Sequence, residues 1–144
     1  MKLMPKLTTY NLFISHAWSH TDDYERLVNL LRDAPYFKWR NYSIPRDEPI
    51  LDPRVIIARR WRLLHEIDEQ VRPTNCVLII CGMYVAQRFW CKEEIEIAQK
   101  YDKPIIGIIP RGNERIPVAV QDSATKIVRW NTKSIVGAIR KFSI

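Results

Sequence analysis

Asn75-Cys76-Val77-Leu78-Ile79-Ile80-Cys81-Gly82, followed after a short gap by Arg88-Phe89-Trp90-Cys91-Lys92-Glu93-Glu94-Ile95-Glu96-Ile97-Ala98, decides how this chain is read. The first segment is a continuous apolar run rich in branched residues and bounded by Asn and Gly. That is the pattern of a strand buried on both faces. In the second segment Cys91, Ile95 and Ala98, with Ile97 beside them, form an apolar stripe of helical spacing. It predicts a helix from about Phe89 to Tyr101. Trp90 and Glu94, four positions apart, are then expected on the first turn of a helix just beyond a strand's carboxyl end. Open α/β sheets bind their ligands at that edge.

The same strand-then-helix alternation extends in both directions. Tyr10-Asn11-Leu12-Phe13-Ile14-Ser15 reads as a first strand, and Tyr24, Leu27, Val28 and Leu31 as one face of the helix after it. Thr21, Asp22 and Asp23 are suitable cap and first-turn residues. Phe37-Lys38-Trp39-Arg40-Asn41-Tyr42 is a polar second strand, expected at an edge. A proline-bearing loop, Ser43 to Asp52, separates it from a second helix. That helix opens at Pro53 behind Asp52 and turns Ile57, Trp61, Leu64, Ile67 and Val71 inward. Lys103-Pro104-Ile105-Ile106-Gly107-Ile108-Ile109 predicts a fourth strand covered on both faces. Arg111 to Ser123 reads as a long connection, and Lys126-Ile127-Val128-Arg129 as a short fifth strand. Asn131 and Thr132 start a last helix carrying Ile135, Val136, Ile139 and Phe142. This alternation predicts one α/β domain over residues 1–144. Its expected form is a flavodoxin-like, five-stranded parallel sheet in the order 2-1-3-4-5, with helices on both faces.

Composition narrows the classes of partner. The 144 residues are 47% hydrophobic and 27% charged, ordinary for a globular protein. No apolar run is long enough to span a bilayer, and Met1 to Thr9 lacks the apolar region of a secretory signal. Cys76, Cys81 and Cys91 form no CxxC pair, so zinc and a redox dithiol are poorly supported; buried free thiols in a cytoplasmic protein fit better. The net charge of +7 favours anionic partners. The basic residues are scattered, apart from Arg59, Arg60 and Arg62, and no nucleic-acid reader motif accompanies them, so neither nucleic acid nor membrane is expected as a partner.

Two loops border the expected crevice: Ser15-His16-Ala17-Trp18-Ser19-His20, and Gly82-Met83-Tyr84-Val85-Ala86-Gln87-Arg88 leading to Trp90 and Glu94. The loop bearing Arg46, Asp47 and Glu48 can close over them. Familiar occupants of such a sheet do not fit. A phosphoryl-accepting receiver needs carboxylates where Ser15-His16 and Cys81-Gly82 stand. A flavodoxin needs a Ser/Thr/Gly-rich phosphate loop, and His16-Ala17-Trp18 is not one. The four glycines, Gly82, Gly107, Gly112 and Gly137, build no GxGxxG fingerprint, and no GxSxG elbow exists.

The set that remains is a carboxylate, aromatic walls (Trp18, Tyr84, Trp90), hydroxyl and imidazole groups, and basic side chains. It suits an N-glycosidic bond beside a nucleobase. Breaking that bond builds positive charge on ribose, which a carboxylate stabilises, while aromatic faces stack the released base. The amino end of a helix is expected to favour ionised Glu94. A plainer reading stays open: Glu93 and Glu94 as first-turn residues answering the helix dipole, Trp90 as a core aromatic, and His16, His20 and His65 as structural side chains.

Several pieces in register resemble the TIR-like proteins of bacteria and archaea, in particular the ThsB family of Thoeris anti-phage systems. They are Phe13-Ile14-Ser15-His16-Ala17-Trp18, Asp22-Asp23-Tyr24 with Leu27-Val28, and Phe37 through Pro45. Cys81-Gly82-Met83-Tyr84, Trp90 with Glu94-Ile95-Glu96-Ile97-Ala98, and Lys103 through Gly107 complete the set. Arg88, two before the tryptophan, and Arg111, before Gly112, depart from the usual pattern. The resemblance implies a flavodoxin-like fold and cleavage of NAD at the nicotinamide–ribose bond, with Glu94 as the catalytic carboxylate. It implies that Ser15, His16, Ala17, Trp18, Gly82, Met83, Tyr84 and Trp90 line the substrate and that Arg46 and Asp47 gate it. NAD would be substrate, with no resident cofactor or metal. A cyclic ADP-ribose isomer would be a diffusible signal to a separate effector protein. Two alternatives remain: a non-catalytic module acting by TIR self-association, and a nucleoside deoxyribosyltransferase-like enzyme, for which no second carboxylate stands near Ser15.

Overall fold

Strands whose side chains are apolar on both faces must be covered on both faces, and this requirement organises the chain. The computed structural model describes residues 8–15, 21–43, 53–81, 88–110 and 116–144. In chain order the elements are β1 (Thr9–Ser15), α1 (Thr21–Asp33), β2 (Lys38–Asn41), α2 (Pro53–Val71), β3 (Cys76–Ile80), α3 (Arg88–Lys100), β4 (Ile105–Ile109), α4 (Val118–Ser123), β5 (Lys126–Arg129) and α5 (Thr132–Phe142). The strands form one parallel sheet in the order β2-β1-β3-β4-β5, the flavodoxin-like arrangement expected from the sequence. All five residues of β3 are buried, as are four of the five in β4. The polar β2 lies at an edge.

Side chains alternate across each strand and so build two cores. Leu12, Ile14, Leu78, Ile80, Ile106 and Ile108 face α1 and α5, meeting Leu27, Leu31, Ile135 and Ile139. Phe13, Val77, Ile79, Cys81 and Ile105 face the other way, against Ile67 and Val71 of α2, Ile95 and Ala98 of α3, and Val120 of α4. Helix ends follow local chemistry. The Asn131 side chain accepts from Ser134 N at the start of α5. Asp102, at φ 54, ends α3 with Lys103 N donating to Ala98 O and Asp102 N to Gln99 O, a position glycine usually takes.

Three sequence expectations are corrected. The stretch Arg111 to Ser123 is not wholly a connection: its last six residues form α4, which begins behind Pro117 and is too short to display a helical period. Trp61, expected inward, is 71% exposed. It lies about 120° around the helix from Ile67, so the apolar stripe is wider than the strip the sheet covers. Asn75 precedes β3 instead of starting it. Its side-chain Oδ1 accepts from Asn11 N at 2.7 Å and its Nδ2 donates to Ile144 O at 2.8 Å, so it ties β1, β3 and residue 144 together at the sheet's amino edge.

Gly107 sets how closely α4 approaches the sheet. A Cβ there would stand 3.0 Å from Val120 Cγ1 and 3.3 Å from Ile127 Cγ1. Val120 is fully buried and cannot swing away. Gly107→Ala is expected to lower stability by about 1–2 kcal/mol, since overpacking outweighs the smaller unfolded-state gain. A urea titration checks it, with a lowered midpoint expected and an unchanged or raised one refuting the close-contact account.

Candidate active site

Position along α3 decides which of its carboxylates is buried. Residues 94, 95 and 98 share one helical face, and Ile95 and Ala98 sit in the core against the sheet. Glu94 is drawn in with them and is 8% exposed, whereas Glu93 is half-buried and Lys92 and Glu96 are exposed. The far end of α3 is fixed to α2. The Tyr101 hydroxyl donates to Asp68 Oδ1, and Lys100 Nζ donates to Asp68 Oδ2 at 3.0 Å. The Tyr101 hydrogen bond, seconded by Lys100, holds the Asp68 carboxyl below its ordinary range.

Ser15 reaches Glu94 from the sheet. As the last residue of β1 it pairs with Ile79, and it shares the strand face of Phe13, which looks toward α3. It is 1% exposed. Burial pushes the Glu94 carboxyl up from 4.5 to about 7, while the Ser15 hydroxyl works in the opposite direction. The contact falls short of a finished hydrogen bond: Ser15 Oγ and Glu94 Oε2 are both buried without a partner among the described residues. Buried polar atoms of this kind are rare enough to mark a site for further contacts.

This geometry corrects the electrostatic expectation. Because α3 begins at Arg88, Glu94 belongs to its second turn, and the first turn holds no acidic residue. The helix-terminus effect fades beyond the first turn, and desolvation of the carboxylate dominates instead. Trp90 lies in the first turn of α3, but its side chain is outside the described part of the structure. His16, Ala17, Trp18, Arg46, Asp47, Gly82, Met83 and Tyr84 lie outside the described residues. The structure thus brings Ser15 and Glu94 together at the ends of β1 and β3, where the strand order changes direction.

One further polar residue is more buried than the sequence indicated. Asp23, a first-turn residue of α1, is fully buried, with Arg26 Nη1 at 3.4 Å. Arg26 in turn stacks 5.2 Å over the Trp130 ring, which packs against the core facing α1 and α5. The Asp22-Asp23-Tyr24 run was the available signal, although cap chemistry explains it equally well. A shallow depression of about 420 Å³, lined by Gln99, Asp102, Lys103, Pro104, Thr125 and Ile144, lies at the amino edge of the sheet. It is remote from Glu94. Among the described residues no group of three or more His, Cys, Asp or Glu can hold a metal ion, and no helix is long and apolar enough to cross a membrane.

Residues 13–115 match the family described as Thoeris protein ThsB, TIR-like domain. The chain belongs to this TIR-like family. The match runs from the end of β1 past β4 and includes both Ser15 and Glu94. No curated protein matches the chain. Among solved structures it is similar to a conserved protein from Enterococcus faecalis V583, at 8% identity, covering 93% of this chain and 99% of that one with a TM-score of 0.53. A 3-dehydroquinate dehydratase-like protein from Bifidobacterium longum aligns at 11% identity over 94% of each chain, with a TM-score of 0.46. At such identities the first likeness speaks for the α/β fold alone.

A buried carboxyl that ionises late has a definite effect on stability. The folded protein holds the Glu94 proton more tightly than the unfolded chain does. Its stabilising contribution is therefore complete below about pH 4.5 and is lost as pH rises through about 7. Relative to Glu94→Gln, wild-type stability should fall by on the order of 3 kcal/mol between pH 4.5 and pH 8. Paired denaturant titrations at several pH values check this; parallel curves for the two proteins would refute it.

Proposed function

We propose that this TIR-like protein of the Thoeris defence type cleaves NAD at the nicotinamide–ribose bond, with Glu94 as the reacting carboxylate. The observation that carries the reading is Glu94 itself: a buried carboxyl with an oxygen unpartnered among the described residues, beside a buried hydroxyl, where strands β1 and β3 end. Membership of the ThsB family supports it. The carbon–nitrogen bond breaks and nicotinamide leaves with the electron pair. The ionised Glu94 offsets the charge that develops on the ribose and accepts hydrogen bonds from its hydroxyls. Capture of that carbon by water gives ADP-ribose; capture by a nitrogen or hydroxyl of the same molecule gives a cyclic isomer. We infer the cyclic product, acting as a diffusible signal to a separate effector protein.

His16, Ala17, Trp18, Gly82, Met83, Tyr84 and Trp90 are proposed to line the substrate, and Arg46 and Asp47 to gate it. Cytoplasmic action accords with the buried free thiols Cys76 and Cys81. A second reading, self-association without catalysis, draws on the exposed Trp61, since exposed tryptophans often anchor interfaces. It leaves the buried Glu94 carboxyl without a purpose.

Nicotinamide release from NAD, with products resolved by mass, tests the reading in purified protein and in phage-infected cells. Glu94→Gln should lower release at least about 100-fold, the scale set by losing one transition-state electrostatic contact. Wild-type release should rise with pH through about 7, because the carboxylate is the active form. Full activity in the variant would sink the assignment of Glu94. Absence of release from wild type in both settings would favour self-association.

A further inference from the structure

We propose that Ser15 is a positioning residue for Glu94: its hydroxyl, fixed at the end of β1, orients the Glu94 carboxyl and supports its negative charge. The inference rests on the reading of Glu94 as the reacting carboxylate and gives Ser15 a role exerted through that group.

The backbone leaves Ser15 little freedom. Ser15 is in register with Ile79 of β3. On the other side of β1, Ile14 N donates to Ser43 Oγ at 3.0 Å, and Tyr42 N donates to Leu12 O at 2.9 Å. Ser43 N is held in turn by Asn41 Oδ1 at 2.9 Å. Strand alternation then aims the Ser15 side chain at α3, into the core that contains Ile95 and Ala98. Ser15 Oγ and Glu94 Oε2 are left as two buried atoms with no other partner among the described residues. A hydroxyl beside a carboxylate donates its proton to it, and a hydrogen bond to a charged acceptor is stronger than one between neutral groups.

Among the described side chains, the charged groups of the elements packed on α3 are engaged elsewhere or exposed. On α2, Asp68 is held by Tyr101 and Lys100, Glu69 is bridged by Arg72, and His65 is exposed. On α4, Asp122 is exposed, and on α3 itself Lys92 and Glu96 face outward and Glu93 is half-buried. From the sheet, Ser15 and the buried Cys81 thiol face this side, and Ser15 is the one that acts on the Glu94 carboxyl to favour its charge. With an apolar residue at position 15, burial would act on that carboxyl unopposed.

The test is a carbon-13 NMR titration of the Glu94 side-chain carboxyl in the full chain, with Glu94→Gln to assign the signal. Ser15→Ala should move the midpoint up by about one pH unit, the loss of one charge-assisted hydrogen bond. Ser15→Thr, which keeps the hydroxyl, should stay near wild type. Ser15→Cys, of similar volume with a weaker donor, should shift in the same direction as alanine and serves if the alanine variant does not fold. An unmoved or lowered midpoint in the hydroxyl-free variants overturns the proposal. In the nicotinamide assay, Ser15→Ala should displace the pH profile to the alkaline side by the same amount and recover at high pH. A uniform loss at every pH, with the titration unmoved, would make Ser15 a substrate contact and overturn the positioning role. If no protein releases nicotinamide, the NAD reading fails while the titration still decides the Ser15–Glu94 contact.

Discussion

Two-sided burial of β3 and β4 is the constraint on which the rest of this structure depends. A parallel strand cannot return directly to its neighbour, so each crossover carries a helix, and each helix covers one face. The two central strands are hidden only because α1 and α5 lie on one side and α2, α3 and α4 on the other. The same geometry gathers the strands' carboxyl ends at one edge and places the start of α3 there. Glu94 lies at that edge because Ile95 and Ala98 must be inside: a residue adjacent to one and a turn from the other is carried in with them.

That placement creates a conflict between packing and charge. The apolar face of α3 desolvates a carboxylate, and desolvation disfavours ionisation. A group whose only task was to answer a helix dipole would sit one turn earlier and exposed, as surface carboxylates do. Retention of a carboxyl in the core, beside a hydroxyl that is also without a partner among the described residues, concentrates polarity at one point of an otherwise apolar layer. Such points hold ligands or protons more readily than they hold the fold together. The Asp68–Tyr101–Lys100 contact serves the opposite purpose, fixing α3 against α2 at the end away from Glu94.

Much of the fold was legible before the structure. Periodicity separated the continuous apolar runs of β3 and β4 from the 3.6-residue stripes of α1, α3 and α5. The polarity of β2 marked an edge. What escaped was set by length or by neighbours. A six-residue α4 cannot show a period, and Trp61 belongs to a stripe wider than the sheet beneath it. Asn75 has the composition of a strand end, yet its amide is taken by Asn11 and Ile144, partners 64 and 69 residues away in sequence.

For the candidate site the division is sharper. The sequence by itself determined that a carboxylate would follow a buried strand at the ligand-binding edge of an α/β sheet, and that Glu94, four after Trp90, was the residue to examine. Those are matters of spacing, and spacing is written in the chain. Only the tertiary structure decided that Glu94 is inside and Glu93 less so, that its environment favours the proton, and that Ser15 is its neighbour. Each of these depends on which atoms come within a few ångströms after α3 docks against the sheet. The solvent removed in that docking, more than any local propensity, sets the charge of the group.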